Sequence, residues 1–247
     1  FSKINDIDNT AYIDVFCSYL FSLLTVNDIL PSFAIFYGSI NGIGEYKYDI
    51  TDEYDELRLD KCFNKNIGKS FDVDMFVSSS DEESESESDY NIGSDDYVVK
   101  FNKIPLQLLF IEKLEGTLED YLLDDNFKEE VLLSCLFQIA FSLHYLQKHY
   151  SFTHNDLHIN NIMFSKTETK YLYYKINNKY FRIPTFGKIF KIIDFGRSIF
   201  TFKNKKFYND VFSKNSEAYG QYYYPSQIRF HKENEKNKIQ PNYNFDL

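Results

Sequence analysis

The sequence predicts an α+β fold. Two stretches, 9–24 and about 127–148, carry apolar residues at helical spacing. Four short apolar runs, 33–40, 106–114, 162–164 and 188–193, have the length of strands. Asn177-Asn178 separates two further β-prone runs and suits a two-residue hairpin turn. With 247 residues, 43% hydrophobic and 19% aromatic, the chain can build one large domain or two small lobes, and its composition is globular.

Taken in order, Asn9 caps the first helix, and Ile13, Phe16, Cys17, Leu20 and Leu24 fall on one face, with Asp14 at its edge. Pro31 ends the next short segment, and Phe33 to Ile40 reads as a buried strand. Residues 45–60 are acidic and mixed. Residues 78–96 are low-complexity Ser, Asp and Glu, too polar to bury a core, and read as a disordered loop. After the strand candidate Leu106 to Leu114, Gly116 breaks the run, and Thr117 with Asp120 forms a capping-box-like helix start. Asn126 with Glu129 gives a similar start to the long helix, whose stripe is Leu132, Leu136, Ile139, Ala140, Leu143 and Leu146. That helix runs into Thr153-His154-Asn155-Asp156. The hairpin and the strand Lys188 to Ile193 follow, ending on Asp194.

The net charge is -10, and eight acids without a base lie in 78–96, so the remainder is nearly balanced. No basic patch suits a nucleic acid. Cys17, Cys62 and Cys135 are far apart and form no disulfide framework, which points to a reducing, cytoplasmic setting. The longest apolar stretch, Val15 to Leu24, is too short for a bilayer and is broken by two serines, so no membrane partner is expected. The chain begins at Phe1, so an N-terminal targeting signal would lie outside it.

The order of long helix, loop with His154-Asn155-Asp156-Leu157-His158-Ile159-Asn160-Asn161, strand, strand and Asp194-Phe195-Gly196 resembles the catalytic half of protein kinases. The resemblance implies a two-lobed protein-kinase-like fold. Residues 1–114 would form an incomplete small lobe with the acidic insert at about 78–96. Residues 115–247 would form a mainly helical, truncated large lobe with the catalytic loop, a hairpin insert over 166–187 and the activation segment. The chain would then be a fragment, from the regulatory helix of the small lobe to the start of the central helix of the large lobe, where Phe245-Asp246-Leu247 resembles the segment whose Asp anchors the catalytic loop.

The implied cofactors are ATP and Mg²⁺. Asp156 would orient or accept the proton of the attacking hydroxyl, Asn161 and Asp194 would hold Mg²⁺ through oxygen, and His158 would contact the γ-phosphate or pack locally. Ile111 would be the gatekeeper, and backbone groups of Glu112 and Leu114 would meet the adenine edge. His154 would hydrogen-bond backbone near Asp194, Phe195 would pack beneath the regulatory helix, and Gly196 would give the loop its turn. Asp14 would be the acid of that helix, or else an exposed solvated acid.

The departures from the kinase pattern are informative. Gly42-Ile43-Gly44 lies after the helix and strand and reads as a flexible turn, not a phosphate loop. Lys3 is too close to Asp14 to be the usual strand Lys, and Ala-Pro-Glu is missing. Asn155 stands where an Arg commonly reads a phosphorylated activation loop, and His158 where Ser/Thr kinases carry Lys. Serines at 78–80, 84, 86 and 88 are either acidophilic-kinase sites or part of a solvated tether. The lysines of 203–214 suit an acidic substrate or a solvated loop. The chain looks most like the divergent Ser/Thr kinases of large DNA viruses, which would act in host cytoplasm or virion on protein substrates. Two other readings stand beside this one: a small-molecule kinase of choline or aminoglycoside type, and a pseudokinase binding module.

Overall fold

The structure, a computed structural model, describes residues 9–76, 96–209, 211–212, 217–221 and 240–246. The acidic stretch read as a disordered loop, with its serines, lies outside the described residues except at Asp96, which opens a strand, and Lys3 lies outside them. The fold is α+β, with small, mostly antiparallel sheets. Two compact units divide it, residues 1–39 with 109–247 and residues 40–108.

In the first unit, helix α1 (Thr10–Val26) begins where Asn9 Oδ1 accepts from the backbone N–H of Ala11. Its buried face carries Ile13, Cys17, Leu20, Phe21 and Leu24. Phe21 is the hub of an aromatic core, with ring centroids 5.2–5.6 Å from those of Phe33, Tyr150, Phe152 and Phe195. Strand β4 (Gly116–Thr117) leads into helix α4 (Leu118–Leu122), where Thr117 and Asp120 complete the expected capping box.

Helix α5 (Glu129–Tyr150) departs from its expected start and stripe. Lys128 occupies the cap position without a side-chain bond, because Asn126 is engaged with Asp124. Leu136 and Ala140 are exposed, whereas Ser134, Gln138 and Ser142 are buried at i, i+4 and i+8. These polar residues are satisfied in the core. Ser134 Oγ donates to the Pro184 carbonyl, and Gln138 Oε1 accepts from the Phe190 N–H. They tie α5 to strands β7 (Lys179–Pro184) and β8 (Lys188–Ile192).

β5 (Ile162–Lys166) lies between β4 and β8, antiparallel to both. β6 (Tyr171–Ile176) and β7 form the expected hairpin, with Asn177 and Asn178 at φ 46° and 64°. The lysine-bearing stretch after residue 200 forms a second hairpin, β9 (Phe200–Phe202) with β10 (Lys205–Phe207), turning at Lys203-Asn204.

In the second unit the sheet order is β1 (Phe36–Asp49), β3 (Asp96–Ile111), β2 (Asp72–Phe76). The expected strand at 33–40 thus starts later and runs on, mostly exposed, through Gly42-Ile43-Gly44. These residues are strand and not a turn, and Gly44 has no room for a Cβ against the Leu106 side chain. Helix α2 (Tyr54–Leu57) occupies part of the stretch read only as acidic and mixed, and helix α3 (Lys61–Asn66) follows it. β3 begins ten residues before its predicted start.

Candidate active site

The loop after α5 is built by local and distant constraints together. α5 ends on Ser151 in the left-handed region, φ 47°. Thr153 exchanges backbone hydrogen bonds with Ile199, at 2.8 and 2.9 Å. His154 is fully buried, and its Nε2 meets the Ile193 carbonyl at 3.0 Å, one residue before Asp194. Burial pushes the ring's pKa down to about 4, so it is a neutral imidazole with its proton on Nε2. Asp246 closes the loop from below. Its carboxylate accepts from the backbone N–H groups of His154, at 2.8 Å, and Asn155, at 2.9 Å.

Asp156 lies just beyond this anchor. Asn161 sits on the short 3₁₀ turn Ile159–Asn161, and its amide nitrogen donates to the Asp156 carbonyl at 2.9 Å. The Ile193 N–H donates to the Asn161 carbonyl at 3.1 Å. The loop bearing Asp156 and the strand end bearing Asp194 are therefore cross-braced through Ile193. His158 is exposed and caps the turn, its Nδ1 accepting from the Asn160 N–H at 3.3 Å. That bond leaves the proton on Nε2, which meets no partner among the described residues.

Asp194 is exposed and holds φ 61°, a strained value for a residue with a side chain. The left-handed turn of the triplet is thus made at Asp194 and not at Gly196, whose role is close approach: a Cβ there would lie 2.9 Å from Thr10 Cγ2. Phe195 is buried against Phe21 of α1. Asp14 of the same helix is no solvated acid. Its Oδ1 accepts from the Phe195 N–H at 2.8 Å, and its pKa is raised by burial, against the pull of that bond, with Asp194 adding to the rise.

The strand end before α4 is organised around an ion pair that the sequence did not announce. Lys191, 4% exposed on β8, places Nζ 2.6 Å from Glu112 Oε1 and 3.1 Å from the Phe33 carbonyl. Glu112 Oε2 accepts from the Ile35 N–H, and its own N–H donates to the Ile35 carbonyl. Glu112 thus spends its side chain and N–H on the protein, leaving its carbonyl as the group able to meet a base edge, whereas the Leu114 N–H makes no hydrogen bond among the described residues. Ile111, Ala34, Leu109, Phe195 and Asp194 line one small cavity of about 30 Å³, which brings Ile111 and Asp194 together. Sequence reasoning also missed the partner of Asp156: Arg197 Nη1 donates to its Oδ1 at 2.8 Å.

Asp194 and Asn161 offer a carboxylate and an amide oxygen, the hard donors that Mg²⁺ takes. Among the described residues no group of three or more His, Cys, Asp or Glu side chains forms a metal cage. A cation here would also lean on ligand oxygens, as Mg²⁺ commonly does.

Two known proteins share partial similarity with the chain. One, from Dictyostelium discoideum, is 35% identical over 123 residues, 41% of this chain and 10% of that protein. The other, from Acanthamoeba polyphaga mimivirus, is 38% identical over 96 residues, 34% of this chain and 24% of that protein. Both are provisionally named serine/threonine-protein kinases. The relationship is kinase-like. The matched stretches span about a tenth and about a quarter of those relatives' lengths. No protein-family profile matches the chain. Among the described residues, no helix is long and apolar enough to cross a membrane.

Proposed function

We propose that this chain carries the catalytic part of a serine/threonine protein kinase, using ATP and Mg²⁺ to phosphorylate protein hydroxyls within a two-lobed fold. The observation that supports it best is the brace through Ile193, which joins the Asp156–Asn161 loop to Asp194. Phosphoryl transfer needs little covalent help from a protein but needs a base, charge and alignment held rigidly together.

In this reading Asp156 accepts the hydroxyl proton as the hydroxyl oxygen attacks the γ-phosphorus. Mg²⁺ held by Asp194 and Asn161 would neutralise the nucleotide phosphates. Asn161 also fixes the Asp156 backbone. His158 presents Nε2–H toward the transferring group, and the Glu112 carbonyl and Leu114 N–H meet the adenine edge below Ile111. Asp14 holds the Phe195 N–H and so sets the direction of Asp194.

The test is transfer of labelled phosphate by the full-length protein with Mg²⁺, offered a protein mixture and choline-like alcohols. Label on protein Ser or Thr is expected, with Asp156→Ala and Asp194→Ala each lowering the rate at least about 100-fold. Label on the alcohols would move the activity to small molecules. Folded protein without transfer would make the chain a binding module.

A further inference from the structure

The loop from His154 to Asn161 contains no Lys or Arg. Phosphoryl transfer is governed by charge neutralisation at the moving group, so a base-bearing loop without a cation needs one from elsewhere. Among the described residues, the cation that reaches Asp156 is Arg197, directly after the Asp194-Phe195-Gly196 triplet. Its Nη1 donates to Asp156 Oδ1 at 2.8 Å, and its Nη2 donates to Glu217 Oε1 at 2.5 Å. The guanidinium is one quarter exposed, and Asp194 lies within its electrostatic reach.

This is more than a surface ion pair. The Arg197 carbonyl accepts from Asn155 Nδ2 at 2.9 Å, and two residues on Ile199 is bonded in both directions to Thr153. Asn209 Nδ2 reaches back to the Gly196 carbonyl, and the Gln221 side chain donates to the Asn155 carbonyl at 2.5 Å. The backbone at Arg197 and just after it is therefore stitched to the loop that carries Asp156. Among the described residues, the ion pair uses Oδ1 alone and Oδ2 meets no partner.

Building on the kinase reading above, we propose that Arg197 is a positioning residue for Asp156 and supplies the positive charge that the catalytic loop lacks. It holds Oδ1, so that Oδ2 faces the entering hydroxyl. The hydroxyl proton passes to Oδ2, the new bond forms from the hydroxyl oxygen to the γ-phosphorus, and the bond to the bridging oxygen breaks with its electron pair leaving on the diphosphate. Glu217 holds the guanidinium from the far side.

The experiment compares wild type, Arg197→Lys and Arg197→Met in the full-length protein. Transfer rates are measured over a range of ATP concentrations, and urea unfolding of Arg197→Met, Asp156→Asn and the double variant gives the coupling between the two side chains. Arg197→Met should lower kcat about 100-fold with KM for ATP within about twofold, and Arg197→Lys should recover part of the loss. If Arg197 holds Asp156, the unfolding losses of Arg197→Met and Asp156→Asn should be non-additive. An additive double variant, an effect on KM alone, or a faster Arg197→Met enzyme would overturn the proposal. A wild type that transfers nothing would sink the kinase reading on its own account. The unfolding cycle would then still decide whether Arg197 holds Asp156.

Discussion

The Asp246 carboxylate accepts from the His154 backbone N–H, and the two side chains contribute to stability with opposite pH dependence. Burial raises the Asp246 pKa to about 6, although two N–H donors pull it down. A raised folded pKa means that the stability contributed by Asp246 is complete below about pH 4 and is lost as pH rises through about 6. His154 runs the other way: with its folded value near 4, its contribution is complete above about pH 6.5 and is lost as pH falls through about 4. The two trends oppose each other between about pH 4 and 6, so wild-type stability should be nearly flat there. Asp246→Asn leaves His154 alone, and stability should then drop by roughly 3 kcal/mol from pH 6.5 to 4. Thermal unfolding across that range checks this, and a profile as flat as wild type would refute it. At Lys191 the expected effect is of similar size. Lys191→Met leaves the half-buried Glu112 carboxylate without its cation, a loss of about 3 kcal/mol in urea unfolding.

At the scale of an element, α5 shows how buried polar residues are used. Gln138 is fully buried and bonded to Ser134 and to the Phe190 N–H. Gln138→Leu would preserve most of the volume but orphan a strand N–H, for about 2 kcal/mol of lost stability. Chemical denaturation measures it, and a neutral or stabilising result would mean that the strand N–H finds another partner. The capping box at Thr117 and the paired Asn turn of the β6–β7 hairpin were both legible in the sequence. Each depends on residues within four positions of one another, where backbone geometry alone decides. The start of α5 was misread because Asn126 had a nearer acceptor in Asp124. Its stripe was misread because apolar identity was taken for burial, whereas Leu136 is 53% exposed and Gln138 is buried.

At the scale of the molecule, the first unit is organised by its aromatic core, and Phe21 joins α1 to Phe195 beneath the candidate site. Phe21→Ala should remove about 3–5 kcal/mol and loosen Phe195 with it. Phe21→Leu, which keeps more volume, should lose less. Urea midpoints for the two variants, with Phe195 followed by ring NMR, separate lost packing from lost function. The sequence by itself determined the α+β class, the order of helix, loop, strands and Asp-Phe-Gly, and the residue types of the candidate chemistry. Those features are written in local period, capping and motif spacing. Only the tertiary structure decided the ion-pair partners: Arg197 with Asp156, and Lys191 with Glu112, separated by 41 and 79 positions. No local rule pairs groups so far apart in the chain. A charged side chain declares its need for a partner, but which one it meets is set by how the strands and helices fold back on each other.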